Sequence, residues 1–218
     1  KILLQNGHAL EGKFLVDSGQ AGIGLVIFES FQKAHPEILQ SVPKLLSTHA
    51  SVVGGELNSL IGRLPGLQVG SFLMKGPVTS FPENAAGTYA DPELAGAIGA
   101  DILAKFEVVF DYSRAQMLLA PNINFAKPFD VDMSGLQLKV NPPDFHRFVV
   151  AGVRESSPAN GANIQKGDVL LAINGLDANS LRLSEVQSIL RNASNACRLL
   201  VQRGQSTFSA VLQLTPVL

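Results

Sequence analysis

Short apolar segments that alternate at period two, with Gly, Pro and Asn between them, dominate the first 125 residues of this chain and leave little room for helix. Gly12-Lys13-Phe14-Leu15-Val16, Gly66-Leu67-Gln68-Val69-Gly70-Ser71-Phe72, Phe106-Glu107-Val108-Val109-Phe110 and Gln116-Met117-Leu118-Leu119 all read as strands. Alternation sends successive side chains to opposite faces, so each segment buries its apolar face only by joining a sheet. The pattern predicts an antiparallel β domain, with one or two helical turns across Ser30 to Leu39 and a short one near Asp101 to Phe106. Periodicity lapses between Pro121 and Pro128, where Pro121-Asn122-Ile123-Asn124 and Lys127-Pro128 read as a connector. A boundary is expected there, dividing the chain into residues 1–126 and 127–218.

The second part mixes strand and helix. Strands are predicted over Gly135 to Val140, Phe148 to Val153 and Asp168 to Ile173, with a turn at Ser156-Ser157-Pro158 leading into Ala159 to Ala162. Leu183, Val186, Ile189 and Leu190 fall at helical spacing, and Ser184 is expected to cap that helix ahead of Glu185. Arg198 to Arg203 and Ser206 to Leu214 read as a closing hairpin turned at Arg203-Gly204-Gln205.

Composition removes several function classes. The 17 basic and 18 acidic residues leave a net charge of −1, which offers no field to a phosphate backbone or an anionic membrane. No apolar run reaches the roughly 20 residues of a membrane span. The single cysteine, Cys197, allows neither an internal disulfide framework nor a cysteine-based zinc ligand set, and reads as a small buried apolar residue. The histidines His8, His35, His49 and His146 lack ligand spacing, so neither a metal nor a cofactor is expected. Asn192-Ala193-Ser194 fits a glycosylation acceptor but reads as a chance match. The start at Lys1, without a charged or apolar leader, predicts a signal peptide or a whole domain upstream.

Phe14-Leu15-Val16-Asp17-Ser18-Gly19 is an apolar strand that ends in a carboxylate, a hydroxyl and a glycine. By itself this describes a strand closing in an Asx-type turn. It is also the arrangement an aspartic peptidase needs, in which two carboxylates share one proton and act on a water as base and acid. A phosphate cradle over Gly19-Gln20-Ala21-Gly22-Ile23-Gly24 is disfavoured: the glycine spacing is wrong and Asp17 would face a pyrophosphate. Ala97-Ile98-Gly99 lies about 80 residues downstream and is followed by Ala100-Asp101-Ile102-Leu103, Val108-Val109-Phe110-Asp111-Tyr112 and Met117-Leu118-Leu119. Together these stretches resemble the retropepsin-like aspartic peptidases over residues 1 to 121. The resemblance implies a closed β-barrel lobe with Asp17, Ser18 and Gly19 as the catalytic loop. It further implies a flap at Val53, Gly54, Gly55 and Glu56, whose glycines allow the tip to move. Ser18 stands where Thr is more usual, and Gln20 where a small residue follows the glycine, and the bulky amide is expected to crowd the cleft. One lobe supplies one aspartate, so the dyad requires a second copy of the chain or an upstream lobe.

Residues 129 to 218 resemble a PDZ domain of the bacterial type. The stretches that carry this are Met133-Ser134-Gly135-Leu136, Phe148-Val149-Val150-Ala151-Gly152-Val153, Ser157-Pro158-Ala159 and, most specifically, Ile164-Gln165-Lys166-Gly167-Asp168-Val169-Leu170-Leu171-Ala172-Ile173-Asn174-Gly175. The resemblance implies that loop amides at Ser134, Gly135 and Leu136 hold the terminal carboxylate of a peptide. The peptide then adds as a strand between Leu136 to Val140 and the helix from Leu183, with Leu138, Leu183 and Gln187 facing it. Leu183 at the helix start implies an apolar ligand residue rather than a hydroxyl-bearing one. Asn141-Pro142-Pro143 directly after the groove strand is expected to shorten it.

The sequence therefore reads as a mainly β protein, a retropepsin-like lobe followed by an α+β PDZ domain. The expected activity is that of an aspartic-type endopeptidase acting on polypeptide and exported from a bacterial cell, with partner C-termini at the PDZ groove. The competing reading is a peptide-binding scaffold with an inactive lobe.

Overall fold

Strands make up most of the regular structure in the computed structural model, which describes residues 1–20, 22–52, 55–83, 87–191, 196–215 and 218. Two units are distinguished by their internal contacts, one of Lys1–Phe129 with Leu218 and one of Asp130–Val217.

The first unit runs β1 (Ile2–Leu3), β2 (Ala9–Leu10), β3 (Phe14–Asp17), β4 (Leu25–Ile27), α1 (Glu29–Ala34), α2 (Glu37–Gln40), β5 (Leu45–Val52) and β6 (Gly55–Arg63). It continues through β7 (Gly66–Val69), β8 (Phe72–Lys75), β9 (Val78–Glu83), β10 (Gly96–Gly99), α3 (Ala100–Leu103), β11 (Phe106–Asp111) and β12 (Gln116–Pro121). A six-stranded sheet has the order β3-β10-β4-β9-β6-β5, a four-stranded sheet the order β2-β1-β7-β8, and β11 and β12 form a two-stranded sheet. β10 lies parallel to β3, with Gly99 opposite Asp17, and antiparallel to β4. The two motifs singled out in the sequence are therefore adjacent strands.

Every residue of β4 and of β10 is buried. Central strands covered on both faces carry no polar alternation, which is why the period-two search did not find them. Gly96 is required where β10 crosses β4: a Cβ there would lie 1.9 Å from the Val26 carbonyl oxygen. Phe28 and Phe81 are fully buried, and the Gln32 amide ties α1 to the sheet by donating to the carbonyls of Ile27 and Pro82.

The closed barrel expected from the retropepsin resemblance is not found: among the described residues no sheet closes. Closure needs a first and a last strand that share a hydrogen-bond ladder. Here β3 and β5 end one sheet, β2 and β8 end another, and the ladder is divided among separate sheets.

The second unit runs β13 (Leu136–Asn141), β14 (Asp144–Val153), α4 (Pro158–Gly161), β15 (Val169–Ile173), β16 (Leu176–Asp177), α5 (Leu183–Arg191), β17 (Ala196–Arg203) and β18 (Ser206–Gln213). Its sheet has the order β13-β14-β15-β17-β18, with β16 also on β15, so β13 is an edge strand. The core gathers Phe148, Ile173, Val186, Leu190, Leu199 and Leu212 from both layers. Helix α5 begins two residues earlier than a Ser184 cap would place it. The Glu185 carboxylate reaches back to accept from the Arg182 amide, so Glu185 closes the first turn and Ser184 lies within it. Pro142 and Pro143 form the turn between β13 and β14 and leave β13 six residues long. Among the described residues no helix is long and apolar enough to cross a membrane.

Candidate functional site

The loop that opens β13 is organised by a carboxylate that the sequence reading passed over. Asp132 Oδ1 accepts from the Ser134 amide at 2.8 Å, from the Ser134 hydroxyl and from the Gly135 amide at 3.1 Å. The Ser134 hydroxyl oxygen in turn accepts from the Leu136 amide at 3.0 Å. Three consecutive amides are thus engaged within the loop. Ser134 is completely buried, so its side chain serves this network and not a surface.

Backbone bonds from three directions hold the loop. The Met133 amide donates to the Leu190 carbonyl on α5, the Arg154 amide to Gly135, and the Ala159 amide on α4 to Ser134. Gly135 has φ +76°, and a Cβ there would lie 2.2 Å from Ser157 Cβ. Only glycine satisfies both the left-handed backbone and the close approach. Ser157 is fixed there because its hydroxyl donates to the Arg154 carbonyl and accepts from the Asn160 amide at the start of α4.

The glycine-and-aspartate run at residues 167–168 has a comparable explanation. The Asp168 side chain is buried, yet it receives Arg203 through two bonds of 2.7 Å and the Gln165 amide at 2.9 Å. The Arg203 hydrogen bond holds its carboxyl below the usual carboxylate range. Asp132 shows the opposite balance: burial pushes its carboxyl up, against the bonds from Ser134 and Gly135 and the nearby Arg154 charge. Cys197 is buried, and burial, aided by Asp132, pushes its thiol up to about 11. Such a thiol is inert packing.

Beside the loop, β13 pairs with β14 alone among the described residues. Leu136 is buried, while Leu138 on β13 and Leu183 on α5 pack half-buried against one core. Gln187 is half-buried on α5. The residues expected at a peptide groove therefore lie on one edge strand and one helix that share a core. Asp132 was missed, although a Ser-Gly pair follows it after one intervening residue, much as Ser18-Gly19 follows Asp17 directly.

In the first unit Asp17 ends β3, and its Oδ1 accepts from the Gly19 amide at 2.9 Å. Ser18 and Gly19 are exposed. The loop passes Gly99 closely: the Gln20 carbonyl accepts from the Ala100 amide, and a Cβ on Gly99 would meet Gln20 O at 2.7 Å. This is the Asx-type turn that the residues describe by themselves. Of the expected flap, Gly55 and Glu56 open β6, with Gly55 opposite Val52, whereas Val53 and Gly54 lie outside the described residues. Asn192, Ala193 and Ser194 lie outside them as well.

Residues 123–202 match the PDZ domain family. The chain is 33% identical over 91 residues to PDZ and LIM domain protein 2 of Rattus norvegicus, and 37% identical over 65 residues to that of Homo sapiens. These alignments cover 41% and 29% of this chain, and the chain spans only 24% and 18% of those relatives. Among solved structures, the HtrA3 PDZ domain bound to a phage-derived ligand aligns at TM-score 0.32 and 22% identity, covering 36% of this chain and 79% of that one. The HtrA-type protease AlgW with a decapeptide aligns at TM-score 0.38 and 15% identity, covering 80% of this chain and 61% of that one. The photosystem II D1 C-terminal processing protease aligns at TM-score 0.36 and 17% identity, covering 53% and 30%.

The aspartic-type endopeptidase expected from the sequence is corrected: an aspartic-type activity is not supported, the solved proteases similar to this chain being HtrA-type and C-terminal processing proteases, and among the described residues no sheet closes into the expected lobe. A second lobe or copy that would complete a dyad with Asp17 is not shown. What the sequence match carries for the second unit is narrower: this chain contains a PDZ domain over residues 123–202.

Proposed function

We propose that the second unit is a peptide-binding module that takes an extended polypeptide as an added strand along β13, beside α5. The observation that carries this reading is the edge position of β13, a single row of strand backbone next to half-buried apolar side chains. An added strand gains main-chain hydrogen bonds from such an edge, while alternate side chains enter apolar pockets and select the sequence. Leu136, Leu138, Leu183 and Gln187 are the residues that would face it. With a leucine at the start of α5, the pocket there selects an apolar ligand residue. The whole chain is then a binding or scaffolding protein that recruits polypeptide through this unit.

The test is a titration of the 15N-labelled full chain with peptides selected on it by phage display. Shifts confined to β13, its preceding loop and α5 are expected. Selected peptides that leave these amides unmoved would overturn the reading.

A further inference from the structure

We propose that this groove takes an internal stretch of polypeptide rather than a free C-terminus, because the loop amides that would hold a terminal carboxylate are already engaged by Asp132 and Ser134. The inference rests on the peptide-binding reading above and specifies its ligand.

Each backbone amide has one proton to give. Those of Ser134 and Gly135 point at Asp132 Oδ1, and that of Leu136 at Ser134 Oγ. A ligand carboxylate would have to displace an internal carboxylate that holds two amides and a hydroxyl, and would leave Asp132 with its acceptors empty beside a second anion. Each charge-assisted bond given up in that exchange weakens binding by about tenfold.

Nor is the loop free to turn fresh donors outward. Its carbonyls at Ser134 and Gly135 accept from Ala159 and Arg154, its Met133 amide is bonded to α5, and Ser157 fills the space in which Gly135 lacks a side chain. The nearby Arg154 charge already favours the Asp132 carboxylate, so that cation is matched by an anion. The loop thus carries its own carboxylate, while the β13 edge and the apolar side chains beside it are unaffected. A chain that continues past the loop loses nothing by lacking a terminus there.

The experiment uses one phage-selected peptide in three forms: free acid, C-terminal amide, and the same sequence extended by several residues. Each is titrated into the full chain by fluorescence anisotropy, with β13 and α5 amide shifts confirming the site. The three forms are expected to bind within about twofold of one another. A free acid that binds about tenfold tighter than the other two would overturn the inference and leave the peptide-binding reading intact. If no form moves the β13 and α5 amides, the peptide-binding reading fails and this inference falls with it. Asp132→Ala, which releases the amides, is expected to favour the acid over the amide by about fivefold or more. Asp132→Asn, which keeps an oxygen acceptor, is expected to preserve parity. Parity in Asp132→Ala as well would show that Asp132 is not what excludes the terminus. The wild-type comparison decides the matter even if Asp132→Ala fails to fold.

Discussion

Each unit contains a loop built on an aspartate with a serine and a glycine close behind it, Asp17-Ser18-Gly19 at the end of β3 and Asp132-Met133-Ser134-Gly135 ahead of β13, and the two loops use that aspartate differently. Asp17 accepts one amide, from Gly19, in a loop whose Ser18 and Gly19 are exposed. Asp132 accepts two amides and a hydroxyl, around a serine that is completely buried and a glycine with φ +76°. The first is a turn at the surface, and the second is the keystone of a packed loop. Similar short stretches yield both because the number of donors a carboxylate receives depends on how far the surrounding chain closes over it.

The largest expected contrast lies in the glycines. Gly135→Ala places a methyl 2.2 Å from Ser157 Cβ on a left-handed backbone, and should destabilise the second unit by on the order of 3 kcal/mol or more. Gly19→Ala brings a methyl to 3.3 Å from Asp17 Oδ1 without a left-handed φ, and should cost about 1 kcal/mol or less. Urea titration read by thiol labelling reports the second unit specifically, because Cys197 is the chain's one cysteine and is buried there, and circular dichroism over the same titration reads Gly19→Ala in the first unit. Equal losses in the two variants would dissolve the contrast.

Next come the aspartates themselves. Asp132→Ala strands two amides and a hydroxyl, and should cost about 2–3 kcal/mol in the same assay. Asp17→Ala frees one amide in an exposed loop and should cost about 0.5–1 kcal/mol by circular dichroism. A reversed order would mean that Asp17 is held by more than its turn.

Acid sharpens the comparison within the second unit. The Asp168 carboxyl lies below its unfolded value, so its pair with Arg203 contributes stability above the usual carboxylate range, about pH 4, and loses it as pH falls through the folded value. Asp132 lies above its unfolded value, so its burial weakens the fold at neutral pH and the penalty is relieved as it protonates on the way down towards about pH 4. Stability of the second unit should therefore rise slightly and then fall between neutral pH and pH 3. Arg203→Gln should flatten the fall, and Asp132→Asn the rise. Denaturation midpoints collected across that range check both.

The smallest effect is expected at the helix start. Ser184→Ala should change stability by a few tenths of a kcal/mol, whereas Glu185→Ala, which removes the acceptor for the Arg182 amide, should cost about 0.5–1 kcal/mol.

Much of the second unit was legible in the sequence. The strand expected over Gly135 to Val140 is β13, the run from Asp168 is β15, and the spacing of Leu183, Val186, Ile189 and Leu190 is α5. These elements are amphipathic, and period reveals them. In the first unit β4 and β10 escaped the period-two search because they are buried on every side, and the open sheets escaped because strand order is a long-range property. Leu138 and Leu183 were expected beside one another and do pack against one core, whereas the carboxylate of the preceding loop was not foreseen, since the motif begins at Met133.

What the sequence by itself determined is the placement of strands and turns and the PDZ-type stretch around Lys166-Gly167-Asp168, because these follow from periodicity and from residues whose backbone preferences are local. Only the tertiary structure decided what the carboxylates do. Asp132 is an amide acceptor because Ser157, more than twenty residues away, presses on Gly135 and closes the loop over it. Asp17 is a turn residue because the described sheet around it ends at β3 and brings no second carboxylate into its hydrogen-bonding. The chemistry of an acid side chain is set by which donors surround it, and those arrive from parts of the chain that no local pattern connects.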